Sequence, residues 1–420
     1  MQDFAVIGGG IAGLAIAELL QRSGRSVLLL EAENAICAQS SGQQQGWFHT
    51  GALYAALPSS RYFRQLVGNL DDLLNYYACF PHMNLTAGRH LLTQRQSGWF
   101  QNATNYYLYA SPRNSSVIWY KKPIWRLAIL RAQTRLSWFE TIDFNRELSP
   151  QVEGLNISFN LSRCITNRRL DFEPGRVDKI FRSRDRTINT RILHTDLLGS
   201  FLSHGGDLRT GARVERIERN AVIDQNGRHA ARNIIVAAGR NAHDLTGIKT
   251  AVWKSPLLVV KPALTDVNFI WMHPDIAQTF NHLYHRTSEG DYSLIGNAAF
   301  WSVDEDVDEN EVRRALLEKV EKAFGRKVEA SRTSLYFGHK TELLGNPGAR
   351  NYQYQIVDGG DFVLALPGKL SLAFSLAVNV CRHFGVDPVL GLQDSNVHEH
   401  PVCHGLVDDT EHLKRFRALP

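Results

Sequence analysis

The sharpest hydrophobic pattern in the chain lies in its first 33 residues. An apolar run, Phe4-Ala5-Val6-Ile7, leads into a glycine turn, Gly8-Gly9-Gly10-Ile11-Ala12-Gly13. An apolar stretch then reaches Ser23, and a second run, Val27-Leu28-Leu29-Leu30, ends at Glu31. Short apolar runs bounded by turn residues predict buried strands, and the longer stretch over residues 11–23 predicts a helix. Further along, Tyr62, Leu66, Leu70, Leu73, Leu74 and Tyr77 recur near helical spacing and predict an amphipathic helix over 61–77. Residues 191–203 predict a helix ended by Gly205-Gly206. Residues 212–218 predict a strand, and 221–224 followed by Asn226-Gly227 a hairpin. A buried strand follows over 233–239, β-rich sequence over 257–296, and a helix over 309–324 that Gly325 stops. Near the end, a strand over 362–365, a turn at Pro367-Gly368-Lys369, a helix over 370–384 and a short basic helix over 411–417 are expected. Residues 91–144 change character, with Trp99, Tyr106, Tyr107, Tyr109, Trp119, Tyr120, Trp125 and Trp138, and read as the strand-like start of a second, β-rich domain. These aromatics read as core first and as a substrate-cavity lining second.

The order strand, glycine turn, helix, strand, acid is that of a dinucleotide-binding βαβ unit. Gly8 permits the tight turn, Gly10 lets backbone N–H groups approach a pyrophosphate, and Gly13 lets the helix pack close to the strand. The helix start at Ile11 and Ala12 offers unpaired N–H groups to phosphate. Glu31, followed by Ala32, stands where an acid accepts hydrogen bonds from ribose hydroxyls.

Composition then narrows the class. The chain has 420 residues, 44% hydrophobic and 21% charged, enough for a large core and two domains. No 18-residue apolar run marks an integral membrane segment. Five dispersed cysteines without a CxxC pair fit a reducing, cytoplasmic setting. The net charge of +5 is uneven: residues 113–135 hold six basic residues and no acid, and 163–191 hold nine basic residues against four acids. No nucleic-acid module accompanies them. A solvated basic face, an anionic small substrate, an acidic partner or a peripheral membrane contact remain as readings. The run His398-Glu399-His400-Pro401-Val402-Cys403-His404 has metal-ligand residue types but no zinc spacing, and Pro401 breaks any helix, so no metal site is expected.

Three blocks together resemble the FAD-dependent glycine/D-amino-acid oxidase superfamily. They are the glycine turn with Glu31, the strand ending at Ala238-Gly239 after the strand that opens near Val214, and the turn and helix Gly368-Lys369-Leu370-Ser371. The small polar loop Ser40-Ser41-Gly42 running to His49-Thr50-Gly51 is similar to the flavin-side loop of L-2-hydroxyglutarate and glycerol-3-phosphate dehydrogenases. The segment Phe337-Gly338-His339-Lys340-Thr341 resembles one where relatives often carry Gly-x-Arg; here a lysine replaces the bidentate arginine. The resemblance implies an α/β protein: a Rossmann-like FAD-binding domain from residues 1–80, 191–250 and 340–385, a β-rich substrate domain from 81–190 and 251–339, and a tail over 386–420. It implies removal of a hydride from a C–H next to an OH or NH of a small substrate, a 2-hydroxy acid or an amine or amino acid. The electrons would pass to oxygen, a quinone or another carrier. A monooxygenase and a non-catalytic flavin-fold partner protein are the alternatives.

Four side chains are candidates for chemistry. His49 could take the substrate proton, carry a covalent flavin link or simply be structural. Lys340 could steady reduced flavin or hold a carboxylate. His282 and Tyr284 would share one face of a cover-domain strand. Lys261 lies on a neighbouring strand, and Arg182, Arg184 and Arg186 would share a face as an anion site.

Overall fold

The structure is a computed structural model that describes residues 1–85, 98–101, 105–111, 120–138, 177–183, 185–324, 327–344, 351–391 and 403–420. The Gln2–Ile7 strand is central to the first sheet. It pairs in parallel with Val27–Leu30 on one side and with Gly227–Val236 on the other. Val363–Leu366 extends the parallel set beyond the latter strand, and Asp207–Arg209 extends it beyond Val27–Leu30. Strands covered on both faces must be apolar throughout, which accounts for the unbroken runs in the sequence. The hairpin forms as expected: Ala221–Asp224 pairs antiparallel with Gly227–Val236, and Val214–Glu218 adds to its outer side.

The Ile11–Arg22 helix packs against the Thr190–Ser203 and Ala373–His383 helices. It is apolar nearly all round, and its two buried charges, Glu18 and Arg22, are matched to each other. Arg22 Nε donates to Glu18 at 2.5 Å and Ser200 Oγ donates to it at 2.7 Å. A buried carboxylate without such donors would be strongly destabilising.

Among the described residues the second sheet has eight strands: Thr250–Val260 pairs along its length with Thr333–Leu343 and also with Trp301–Ser302, and leads on to Gly290–Asn297, Phe280–Thr287, Asn268–Met272, Asn105–Ala110 and Val177–Ser183 in order. The Glu309–Phe324 helix seals one face with Leu316, Val320 and Phe324 against Leu258, Val260, Phe269 and Ile295. Gly325, expected to stop that helix, lies outside the described residues.

Among the described residues of 91–144, the strand-like reading holds for Phe100–Gln101 and Asn105–Ala110. Lys121–Trp138 is an α-helix. Its inward residues Ile129 and Ala132 pack beside Tyr54, Phe63 and Tyr109, while other apolar residues face outward, so a single apolar stripe never shows in the sequence. Trp99, Tyr107 and Tyr109 are fully buried core residues. Trp119 lies outside the described residues.

Between the sheets, Trp47–Phe48, Arg186–Ile188 and Phe100–Gln101 form a three-stranded patch. It brings residue 185 next to residues 47–50.

Candidate active site

The glycine turn is built by close backbone approach. Gly8 has φ +103, and a Cβ there would lie 2.6 Å from the Ala237 carbonyl oxygen. A Cβ on Gly13 would lie 1.9 Å from the Gly8 carbonyl oxygen, so the helix can meet the strand only without a side chain. The helix has no side-chain cap of its own. Instead Ser41 Oγ accepts from the Ile11 N–H at 2.9 Å, tying the polar loop to the helix start. Glu31 accepts from the Gly9 N–H at 2.6 Å and the Glu33 N–H at 2.8 Å. Burial raises its carboxyl above the usual range, against the pull of those donors.

One cavity of about 310 Å³ joins this turn to the rest of the expected site, a size found for small-molecule clefts. Of the residues singled out from the sequence, it is lined by Gly8, Gly10, Ile11, Ala12, Glu31, Ala32, Ser40, Ser41, His49, Val214, Ala238, Gly239, Lys340, Gly368, Lys369, Leu370 and Ser371. Gly13 and Gly42 act behind the lining. A Cβ on Gly42 would lie 2.6 Å from the Cys37 carbonyl oxygen, so this glycine keeps the loop tight.

His49 is fixed from several directions. Its N–H donates to Ser371 Oγ at 2.9 Å, and Ser371 Oγ donates to the Trp47 carbonyl at 3.2 Å. The imidazole stacks on the Trp47 ring at 5.6 Å. Its Nδ1 lies 3.4 Å from Asp185, which orients the ring with Nε2 as the other nitrogen.

Asp185 is fully buried and collects donors: Trp47 Nε1 at 2.8 Å, the Thr50 N–H and hydroxyl at 2.8 Å each, and the Tyr107 hydroxyl at 2.5 Å. Burial pushes its pKa up, but the adjacent His49 and the donors Tyr107 and Thr50 outweigh that and hold it below the usual range, as an anion. Burial, followed by the positive charge of Lys369 and, more weakly, of Lys340, lowers His49 to about 4 against the opposing pull of Asp185. The histidine is therefore neutral at physiological pH, beside a carboxylate and within the field of two lysines.

Lys369 Nζ lies 4.9 Å from the Tyr352 ring centre and 5.2 Å from that of Tyr54. Such cation–π contacts hold an ammonium in place without neutralising it. The polar loop is seated on the second sheet. Gln44 Nε2 donates to the His339 carbonyl at 3.0 Å, His339 Nδ1 lies 2.8 Å from Gln43 Oε1, and Asn281 Nδ2 donates to Gln45 Oε1 at 2.9 Å. The 338–341 segment and the 43–45 loop, read apart in the sequence, thus meet.

His282 and Tyr284 do not reach the cavity. His282 is buried inside the second sheet, with Nδ1 2.8 Å from the Val267 carbonyl and Nε2 2.7 Å from Ser293 Oγ, and burial lowers it to about 3. Tyr284 donates to Asp291 at 2.5 Å. Both are satisfied within their own sheet. Lys261 Nζ donates to the Leu419 carbonyl at 2.7 Å, away from the cavity lining. Arg184 lies outside the described residues, and the strand carrying Arg182 ends at Ser183, so the three arginines do not form one described strand face. His398 to Val402 also lie outside them. The aromatic ring that lines the cavity is Trp47; none of the described aromatics from residues 91–144 does.

Sequence reasoning missed Asp185, a single acid between arginines. It also missed Arg213 and Arg240 in the lining. The three-stranded patch that brings Asp185 to Trp47 and Thr50 has no local sequence signal.

The sequence matches the DAO family, FAD dependent oxidoreductase, over residues 3–341. The chain belongs to this family. Among curated proteins no sequence matches it. Solved structures of similar fold include glycine oxidase from Geobacillus kaustophilus, with 14% identity, TM-score 0.61 and coverage of 95% of this chain and 99% of that one. L-proline dehydrogenase from P. horikoshii has 12% identity, TM-score 0.63 and coverage of 91% and 94%. NikD, an amino acid oxidase essential for nikkomycin biosynthesis, has 14% identity, TM-score 0.64 and coverage of 95% and 99%. At these identities the likeness concerns the fold.

FAD is the cofactor of this oxidoreductase family, and the cavity suits it. The glycines leave backbone exposed where a Cβ would collide, the Ile11 helix start faces the cavity, and Glu31 lines its wall. No helix among the described residues is long and apolar enough to cross a membrane.

Proposed function

We propose that this FAD-dependent oxidoreductase oxidises a small amine or amino acid that carries a carboxylate. One observation carries the reading: neutral His49 shares the cavity of the glycine turn with Lys340 and Lys369, whose charges it feels. Two cations beside one neutral imidazole suit a substrate with an anionic end and a proton to lose. The amino acid named for each of three fold relatives agrees with an amine as the group oxidised.

FAD, when bound, supplies a two-electron hydride acceptor. The chain's own residues prepare the substrate. Lys340 and Lys369 hold the carboxylate, and the Tyr54 and Tyr352 rings keep Lys369 in place. Asp185 fixes His49 through Nδ1, leaving Nε2 to take the proton from substrate nitrogen. Carboxylate binding offsets the two lysine charges that depress His49, so substrate itself raises the basicity of the group that must deprotonate it. The residues proposed to hold FAD are the glycine turn, Glu31-Ala32, Ser40-Ser41-Gly42, Val214, Ala238-Gly239 and Gly368 to Ser371. The cofactor portion is residues 1–80, 191–250 and 340–385, the substrate portion 81–190 and 251–339, and 386–420 a tail. The electron acceptor is oxygen or a quinone-type carrier, in a cytoplasmic setting.

The test is anaerobic mixing of the yellow protein with a panel of amino acids, amines and 2-hydroxy acids, following loss of flavin absorbance. Bleaching by carboxylate-bearing amines alone is the expected result. Bleaching by 2-hydroxy acids alone would overturn the amine assignment, and bleaching only in the presence of NADPH would make the protein a monooxygenase.

A further inference from the structure

The Lys121–Trp138 helix carries Lys121, Lys122, Arg126, Arg131 and Arg135 and no acid. One face is accounted for by the core: Trp125 Nε1 donates to the Ala110 carbonyl at 2.9 Å, and Ile129 and Ala132 are buried. The opposite face is not. Tyr120, just before the helix, and Ile124, Leu127 and Leu130 within it are 48%, 61%, 46% and 57% exposed. Their spacing at i, i+4, i+7 and i+10 puts them on one stripe. Isolated exposed apolar residues need no explanation, but three large ones in a row along a helix, with a fourth just before it, mark a contact surface.

Charge says what the surface contacts. By helical geometry Arg126 borders one side of the stripe and Arg135 the other, while Arg131 continues the row of Ile124 one repeat further on. Arg135 donates to the Pro58 carbonyl at 2.8 Å and also to that of Leu57, fixing the loop that leads to Arg64. Leu57, in that loop, is itself exposed. Burial first, and then the like charges of Arg131 and Arg64, lower the pKa of Arg135. A protein surface that gathers like charges around exposed apolar side chains is complementary to an anionic apolar partner. A bilayer with anionic headgroups offers both properties in one plane.

We propose that the outer face of this helix, with Leu57 and Arg64 beside it, docks on an anionic lipid surface. Ile124, Leu127 and Leu130 enter the boundary between headgroups and acyl chains, and Arg126 and Arg131 meet lipid phosphates. None of these residues lines the cofactor cavity, so the proposal stands independently of the substrate assignment.

The test is co-sedimentation of the full-length flavoprotein with vesicles of phosphatidylcholine alone or with roughly one-third phosphatidylglycerol. The expected result is binding at least about tenfold stronger to the anionic vesicles, weakened by salt. Leu127→Glu with Leu130→Glu should remove it, leaving flavin absorbance, melting temperature and turnover unchanged. Arg126→Glu with Arg131→Glu should remove the anionic preference. Failure of the wild-type protein to bind anionic vesicles would overturn the proposal. So would loss of a solution dimer in the Leu→Glu variant without vesicle binding in the wild type, which would assign the face to a second copy. If both the Leu→Glu and a milder Leu127→Ser, Leu130→Ser variant lose cooperative melting, the face is covered by this chain itself, and the proposal is again overturned.

Discussion

Asp185 lies 3.4 Å from His49 Nδ1 while accepting hydrogen bonds from Trp47, Thr50 and Tyr107. Trp47 and Thr50 belong to the His49 loop and Tyr107 to the second sheet, so the carboxylate ties the imidazole to both. Asp185→Asn keeps the shape and loses the charge. We expect kcat to fall roughly 100-fold with little change in KM, the scale of a mispositioned proton acceptor. One acceptor becomes a donor facing donors, so stability should fall by about 1–3 kcal/mol. Steady-state kinetics and thermal melting measure the two effects. An unchanged kcat would remove Asp185 from any role in His49 positioning.

Replacing Lys369 with Met removes a cation that depresses His49. The histidine pKa should then rise from about 4, and the acid limb of the kcat/KM profile should move to higher pH. KM for a carboxylate-bearing substrate should rise roughly tenfold, the loss of one ionic contact. A profile that stays in place would show that Lys369 does not act on the titrating group.

Gly13→Ala and Gly10→Ala should part company. The added carbon on Gly13 meets a backbone oxygen at 1.9 Å, whereas on Gly10 it meets the Ser41 hydroxyl at 3.2 Å, which can rotate. The first variant should purify colourless and the second yellow, with weakened FAD retention. The ratio of flavin to protein absorbance decides, and a fully yellow Gly13→Ala protein would contradict the packing described.

Acid should destabilise the fold well before carboxylates titrate. His49 and His285 are lowered to about 4 and His194 and His282 to about 3, all by burial first, and His412 is lowered well below its ordinary value. The unfolded chain binds protons at these groups below about pH 6.5 and the folded chain does not. Their contribution to stability is therefore complete above pH 6.5 and is lost as pH falls towards 4, by up to about 1.4 kcal/mol per pH unit for each histidine. Urea unfolding at pH 7 and pH 5 checks this, and equal midpoints would show that these histidines are not buried as neutral groups.

Legibility in the sequence followed locality. The glycine turn and its flanking strands were readable because their constraints fall within 33 residues and each glycine answers a steric demand. The Lys121–Trp138 helix was not, because Ile129 and Ala132 point inward while Ile124, Leu127 and Leu130 point outward, which erases the period. His282 was overvalued because a histidine on a strand reads alike whether it faces a ligand or a partner such as Ser293. Asp185 was invisible because Trp47, Thr50 and Tyr107 are far away in sequence and meet it only through the three-stranded patch.

The loop that supports the helix start has a second support from the opposite end of the sequence. Ile36 bridges to Val407, and the Glu411 N–H donates to the Gly42 carbonyl at 2.9 Å. Closing a loop of nearly the whole chain is slow and entropically expensive compared with forming the local βαβ unit. The glycine turn and its helix are a local unit, but the loop whose Ser41 caps them is locked by residues 406–411, which act from outside the cavity lining.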